Sequence, residues 1–145
     1  MNVMGFAQDA HGEIYLLGNT TGTPFSNTGV VLKIVANSSF DGSLVTIPVV
    51  DVFQSGALVD VYQAGLKHVA GSEPSLFELT PDASILPREY AGDNATFDLS
   101  SGRLSLPYVD VNDGQGNIAT YSAELQKVDS SEGILFELIN TQLIN

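Results

Sequence analysis

The segment Ile47 to Leu79 returns at Leu106 to Leu138, each position displaced by 59. Pro48, Val50, Asp51 and Val52 come back as Pro107, Val109, Asp110 and Val111, and Tyr62, Ala64 and Leu66 as Tyr121, Ala123 and Leu125. Phe77-Glu78-Leu79 becomes Phe136-Glu137-Leu138. A chain of 145 residues that repeats itself over so much of its length is a duplicated unit, and each unit has to bury its apolar face against the other.

Each copy reads as three strands. The first covers Leu44 to Phe53 and Arg103 to Asn112. Simple alternation puts Val45, Ile47 and Val49 on one face and Pro48, Val50 and Val52 on the other, the pattern of a strand covered on both sides. Pro48 and Pro107 cannot donate to a ladder and are expected at an edge or a bulge. The second strand, Leu58 to Val69 and Asn117 to Val128, directs Tyr62, Ala64 and Leu66 one way and Gln63, Gly65 and Lys67 the other, as in a sheet with one wet face. The third covers Ser75 to Thr80 and Ile134 to Ile139. Gln54-Ser55-Gly56 and Asp113-Gly114-Gln115-Gly116 are hairpin turns. The expected fold is an all-β sandwich of two three-stranded repeats, with residues 37–80 and 96–145 as the copies and 81–95 joining them.

Residues 1–36 stand before the repeat. Glu13 to Leu17 and Val30 to Val35 are rich in strand formers, and the polar stretch Gly18 to Thr28 between them makes a wide hairpin, expected to extend one sheet. The string Gly5-Phe6-Ala7-Gln8-Asp9-Ala10-His11-Gly12-Glu13-Ile14-Tyr15-Leu16-Leu17, with Asn19-Thr20-Thr21-Gly22 and Gly29 to Ile34, resembles the last blade of secreted sugar-dehydrogenase-like β-propellers that use pyrroloquinoline quinone. The resemblance implies a propeller-blade turn and strand, and it ends at Ala36. That family's cofactor and calcium residues sit on other blades, so no catalytic or cofactor residue carries over.

Seventeen acids against five Lys and Arg give a formal charge of -12, which repels nucleic acid and anionic lipid surfaces. With 43% hydrophobic and 15% charged residues the chain has the composition of a folded protein, and no apolar run reaches the length of a membrane span. The absence of cysteine removes disulfides and thiolate chemistry. The Ser/Thr/Asn/Gly-rich, Lys-poor loops resemble those common in exported bacterial β-proteins, and by that association an extracellular or periplasmic location is expected, with any signal peptide outside this sequence. Asn19, Asn37 and Asn94 each begin an Asn-x-Ser/Thr triplet, the acceptor pattern for N-glycosylation in a secretory route.

The acids that recur are the candidates for chemistry. Asp110, Asn112, Asp113 and Asn117 form the best oxygen cluster, with calcium as the cofactor it points to, although the spacing departs from an EF-hand loop and a solvated turn competes with it. Asp51 and Asp110, on core strands, are expected to cap turns or accept backbone N–H groups; glycosidase chemistry would need the two carboxylates brought together in a cleft. His11 and His68 are isolated and are expected on the surface, and Tyr62 and Tyr121 in the core. No nucleophile elbow and no phosphate loop is present, so the chain is not expected to be an enzyme by itself.

What remains is association. Leu135, Phe136, Leu138, Ile139, Leu143 and Ile144 make the last residues strongly β-prone, with Glu137 as the one charge, so the tail is expected either to pair within its own subunit or to offer a strand-addition edge to another chain. The expected function is that of a non-catalytic structural or interaction module whose partner is itself, in an oligomer or filament. Two alternatives stand beside it: an accessory region of a propeller dehydrogenase, and a calcium-dependent carbohydrate-binding sandwich with a glycan as partner.

Overall fold

The structure, a computed structural model, describes residues 2–8, 14–19, 29–33, 36–87, 89–90 and 92–145. The His11-Gly12 turn, with His11 itself, and the loop residues 20–28 lie outside them. The chain divides into two compact units, Met1–Val35 with Tyr90–Gly92, and Ala36–Glu89 with Asp93–Asn145.

In the first unit β1 (Asn2–Gln8), β2 (Ile14–Asn19) and β3 (Gly29–Lys33) form an antiparallel sheet in that order. The wide hairpin expected from the sequence is β2–β3, with Tyr15 opposite Lys33 and Asn19 opposite Gly29. It gains a further strand, because β1 pairs with β2 of its own chain. These three strands have no ladder to the repeats among the described residues, so the hairpin makes its own sheet rather than extending theirs.

The second unit is all-β and sandwich-like. Repeat 1 supplies β4 (Ser38–Phe40), β5 (Leu44–Gln54), β6 (Ala57–His68) and β7 (Leu76–Leu79). Then come β8 (Ser84–Ile85) and the strands of repeat 2: β9 (Ala95–Asp98), β10 (Arg103–Asn112), β11 (Ile118–Val128) and β12 (Leu135–Leu143). The three long-expected strands of each copy are therefore present, each set preceded by a short one. β8 lies inside the segment expected to be only a connection, and it pairs with β6 at Tyr62 and Gln63.

Two seams join the copies. At one, β7 and β12 run antiparallel with Phe77 opposite Phe136, flanked by Glu78–Leu135 and Leu76–Glu137. Since Phe77 and Phe136 are equivalent positions, this seam is symmetric about them. At the other, each short strand lies between its own repeat on one side and the other repeat on the other. β4 is antiparallel to β5 at Phe40–Val45 and parallel to β10 at Phe40–Val111. β9 is antiparallel to β10 at Phe97–Leu104 and parallel to β5 at Phe97–Val52. With β5–β6, β6–β7, β10–β11 and β11–β12 also paired, the hydrogen bonding runs around a closed circuit. Closure removes most of the raw edges that an open sheet would leave.

Pro48 and Pro107 fall where the ladder slips. Ile47 pairs with Ala64 but Val50 with Tyr62, so Pro48 and Val49 together oppose Gln63; Leu106–Ala123 and Val109–Tyr121 show the same slip. One extra residue on a strand reverses its phase. This corrects the two-faced alternation expected for β5: Val45, Ile47, Val50 and Val52 all join one core cluster, and Val49, although buried, is outside it. Leu66, Phe77, Leu104, Leu106, Val109, Leu125 and Phe136 complete most of that cluster, drawn from both copies. Phe40 meets Phe77 edge-on at 6.1 Å between centroids, and Phe97 meets Phe136 in the same way at 5.7 Å. His68 is half-buried rather than exposed, since its ring lies 5.1 Å from that of Phe77.

Candidate functional site

The repeated aspartates are all engaged in hydrogen bonds. Asp41 follows β4, where the backbone N–H groups of Leu44 and Ser43 donate to its Oδ1 at 2.7 and 2.8 Å. Asp98 does the same at the end of β9, accepting from Ser100 N–H at 2.8 Å. These donors favour the charged form, and the carboxyl pKa of each aspartate is lowered, for Asp41 mainly by Leu44 and for Asp98 mainly by Ser100. Both are turn caps, of the kind Asp forms with the backbone two residues on.

Asp51 and Asp110 do not lie opposite each other in any ladder. Asp51 stands between Val61 and Thr96, and Asp110 between Thr120 and Ser39. Each instead accepts from an asparagine preceding the short strand that crosses from the other copy. Asn94 Nδ2 donates to Asp51 at 3.2 Å; Asn37 Nδ2 donates to Asp110 at 3.2 and 3.3 Å, and Thr120 Oγ1 adds a bond of 2.7 Å. The donors expected were backbone groups, whereas those found are side-chain amides 43 and 73 residues away. One signal in the sequence does mark them: Asn37 and Asn94 recur at an offset of 57, as Phe40 and Phe97 do. The amides of two of the three glycosylation triplets are thus occupied by aspartates.

The proposed calcium ligands lie in the β10–β11 turn, where they bind one another and the backbone. Asn112 Oδ1 accepts from Gly114 N–H at 2.9 Å, and Asp113 Oδ1 accepts from Gln115 N–H at 2.8 Å and Asn117 N–H at 3.2 Å. Asn117 Nδ2 donates to Asp113 Oδ2 at 2.8 Å. The Asp113 pKa is lowered, first by the Asn117 side chain and next by Gln115 N–H. Asp110 points its oxygens at Asn37 and Thr120. Among the described residues, no group of three or more His, Cys, Asp or Glu side chains is placed to hold a metal ion.

The residues expected to mediate association divide into two groups. Phe136 is buried in the core, Leu138 packs against it, and Leu135 is half-buried opposite Glu78, so these three serve the fold of the chain itself. Beyond them β12 continues to Leu143, further than the sequence suggested. Its far half pairs with β11 from Tyr121–Leu143 to Glu124–Asn140, and Thr120 holds the last residues through bonds to Ile144 and Asn145. On its other side the ladder to β7 covers only Leu135 to Glu137, followed by one bond from Leu138 N–H to Ser75 O. Ile139, Leu143 and Ile144 are 47%, 59% and 50% exposed. At the equivalent point of repeat 1 the strand is broken by Thr80-Pro81-Asp82 before β8 resumes it on the same side of β6.

No family model, curated protein or solved structure matches the chain.

Proposed function

We propose that this chain is a non-catalytic β-module that associates with a second copy of itself by antiparallel pairing of β12 with β12. What carries the proposal is the far half of β12, a strand bonded to β11 on one side, with exposed Ile139, Leu143 and Ile144. A row of unpaired backbone groups beside apolar side chains is a template for a further strand. Two identical strands running antiparallel are self-complementary and give a two-fold interface.

Charge supports the choice of occupant. Each copy carries -12, yet no ionisable side chain occurs from Leu138 to Asn145, so two acidic molecules meet there without carboxylates opposed. In repeat 1, Pro81 and Asp82 occupy the equivalent edge, and these are residues that discourage strand addition. The recurring aspartates Asp41, Asp98, Asp51 and Asp110 are committed to turns and to asparagine amides.

Light scattering across concentration tests this. The parent chain is expected to form a dimer or larger assembly, and Leu143→Lys and Ile139→Lys to remain monomeric with unchanged melting temperature. A parent chain that stays monomeric at every concentration would overturn the proposal. So would assembly that persists in both lysine variants.

A further inference from the structure

Between the two copies a cavity of about 370 Å³ opens beside Phe136, walled by Ile47, Val50, Tyr62 and Leu66 of repeat 1 and Phe97 of repeat 2 among others. Its lining is apolar except for Tyr62 and for Asp60 and Lys127, both exposed. Leu99 and Ile134, 49% and 43% exposed, also line it. Protein interiors contain few voids larger than a water molecule, whereas ligand sites typically hold about 300–1,000 Å³.

The pseudo-symmetry supplies a template for the occupant. Lys127 corresponds to His68, Phe136 to Phe77 and Phe97 to Phe40. In repeat 1 the His68 ring lies on Phe77, tilted by 51° at 5.1 Å, while Phe40 meets that same ring edge-on. In repeat 2 the edge-on partner is retained, with Phe97 and Phe136 at 80°, but the position of the imidazole is taken by a lysine whose flexible chain is exposed. An aromatic ring is therefore built onto Phe77 in one copy, whereas in the other Phe136 and Lys127 border the cavity.

The geometry points to this cavity as a binding site for a small uncharged aromatic molecule, one or two rings in size, seated on Phe136 where His68 sits on Phe77. An offset or tilted ring contact with Phe136 reproduces the packing of the other copy. A charged group in the apolar interior would lose its hydration without a partner, so the occupant is uncharged. Leu99 and Ile134 give it an apolar approach.

Indole is a suitable probe. Titrated into the ¹⁵N-labelled full chain, it is expected to give saturable shifts at Tyr62, Ala64 and Phe136, with Kd below about 1 mM. Lys127→His puts the ring of repeat 1 into repeat 2 and is expected to weaken indole binding by more than about tenfold. The reciprocal His68→Lys opens the equivalent space and is expected to create a second saturable response at Phe40 and Phe77. Shifts in the parent that rise linearly without saturating would overturn the assignment, as would a folded Lys127→His that binds indole like the parent. Should Lys127→His fail to fold, failure of His68→Lys to gain the second response overturns it instead.

Discussion

The side-chain amide of Asn37 donates to both carboxylate oxygens of Asp110, across 73 residues of chain, and Asn94 repeats the bond to Asp51. Each bond joins the lead-in of a short strand to a long strand of the opposite copy, beside the parallel ladders β4–β10 and β9–β5. Asp110→Ala leaves both the Asn37 amide and the Thr120 hydroxyl without their acceptor. Hydrogen bonds to charged groups contribute about 1.5–3 kcal/mol, and the partial exposure of this pair places the expected loss near the lower figure, about 1–2 kcal/mol. Urea unfolding at neutral pH measures it; a change below about 0.3 kcal/mol would remove the latch from the account of stability.

The bulge sets which residues reach the core, so the position of a one-residue deletion should matter more than its size. Removing Pro48 turns the two-against-one step opposite Gln63 into a regular one and leaves Ile47 and Val50 both facing inward. That variant is expected to fold, with some stability lost. Removing Asp51 instead makes Val50 and Val52 neighbours, which must then point to opposite faces, and the chain is expected not to fold. Near-ultraviolet circular dichroism and NMR dispersion distinguish the two; equal behaviour would contradict the assigned phase.

Gly65 is needed because of what stands next to it. A Cβ there would lie 2.7 Å from Thr80 Oγ1, whose hydroxyl donates to Gly65 O at 3.1 Å. The equivalent residue of repeat 2 is Glu124, whose side chain has room to accept a bond of 2.8 Å from Ser105. Gly65→Ala is expected to cost about 1–3 kcal/mol through overpacking. The cost should shrink in a Thr80→Ala background, and strict additivity in that double-mutant cycle would show the contact to be irrelevant.

The turn aspartates predict an acid limb of stability. Asp41, Asp98 and Asp113 have folded-state pKa values below the ordinary value of about 3.9. A group depressed in this way stabilises the fold above its unfolded pKa, and the contribution disappears as pH falls through the folded value. The Asp41→Asn/Asp98→Asn double variant is therefore expected to be less stable than the parent at pH 6 and to converge with it below about pH 3. Parallel stability curves from pH 6 to pH 3 would contradict this.

The duplication and its long strands were legible because they rest on local patterns. Apolar alternation and turn residues predicted β5, β6, β10 and β11 to within a residue or two of their ends. The phase of β5 was not legible, because counting alternate residues assumes an unbroken pleat, and Pro48 marks where it breaks. β4 and β9 are three and four residues long, and part of their stabilisation comes from parallel partners far away in sequence, so no local pattern announces them. Of the proposed association residues, the apolar character was evident but its division was not: Phe136 is buried and Leu143 exposed, because β7 covers only the first part of β12, which continues beyond it. The cavity depends on what a histidine and a lysine do at equivalent positions, a difference that one-letter alignment of the copies records without showing its consequence.

Each copy lends its leading strand to the other, and this exchange has a bearing on ancestry. A chain half as long, holding one copy, has a vacant slot beside its first long strand and a short strand with only half its partners. Another molecule of the same kind fills both needs at once, and the Phe77–Phe136 seam becomes a seam between identical residues. The arrangement is that of two once-separate subunits, now linked in series and free to diverge, one retaining a ring where the other has an opening.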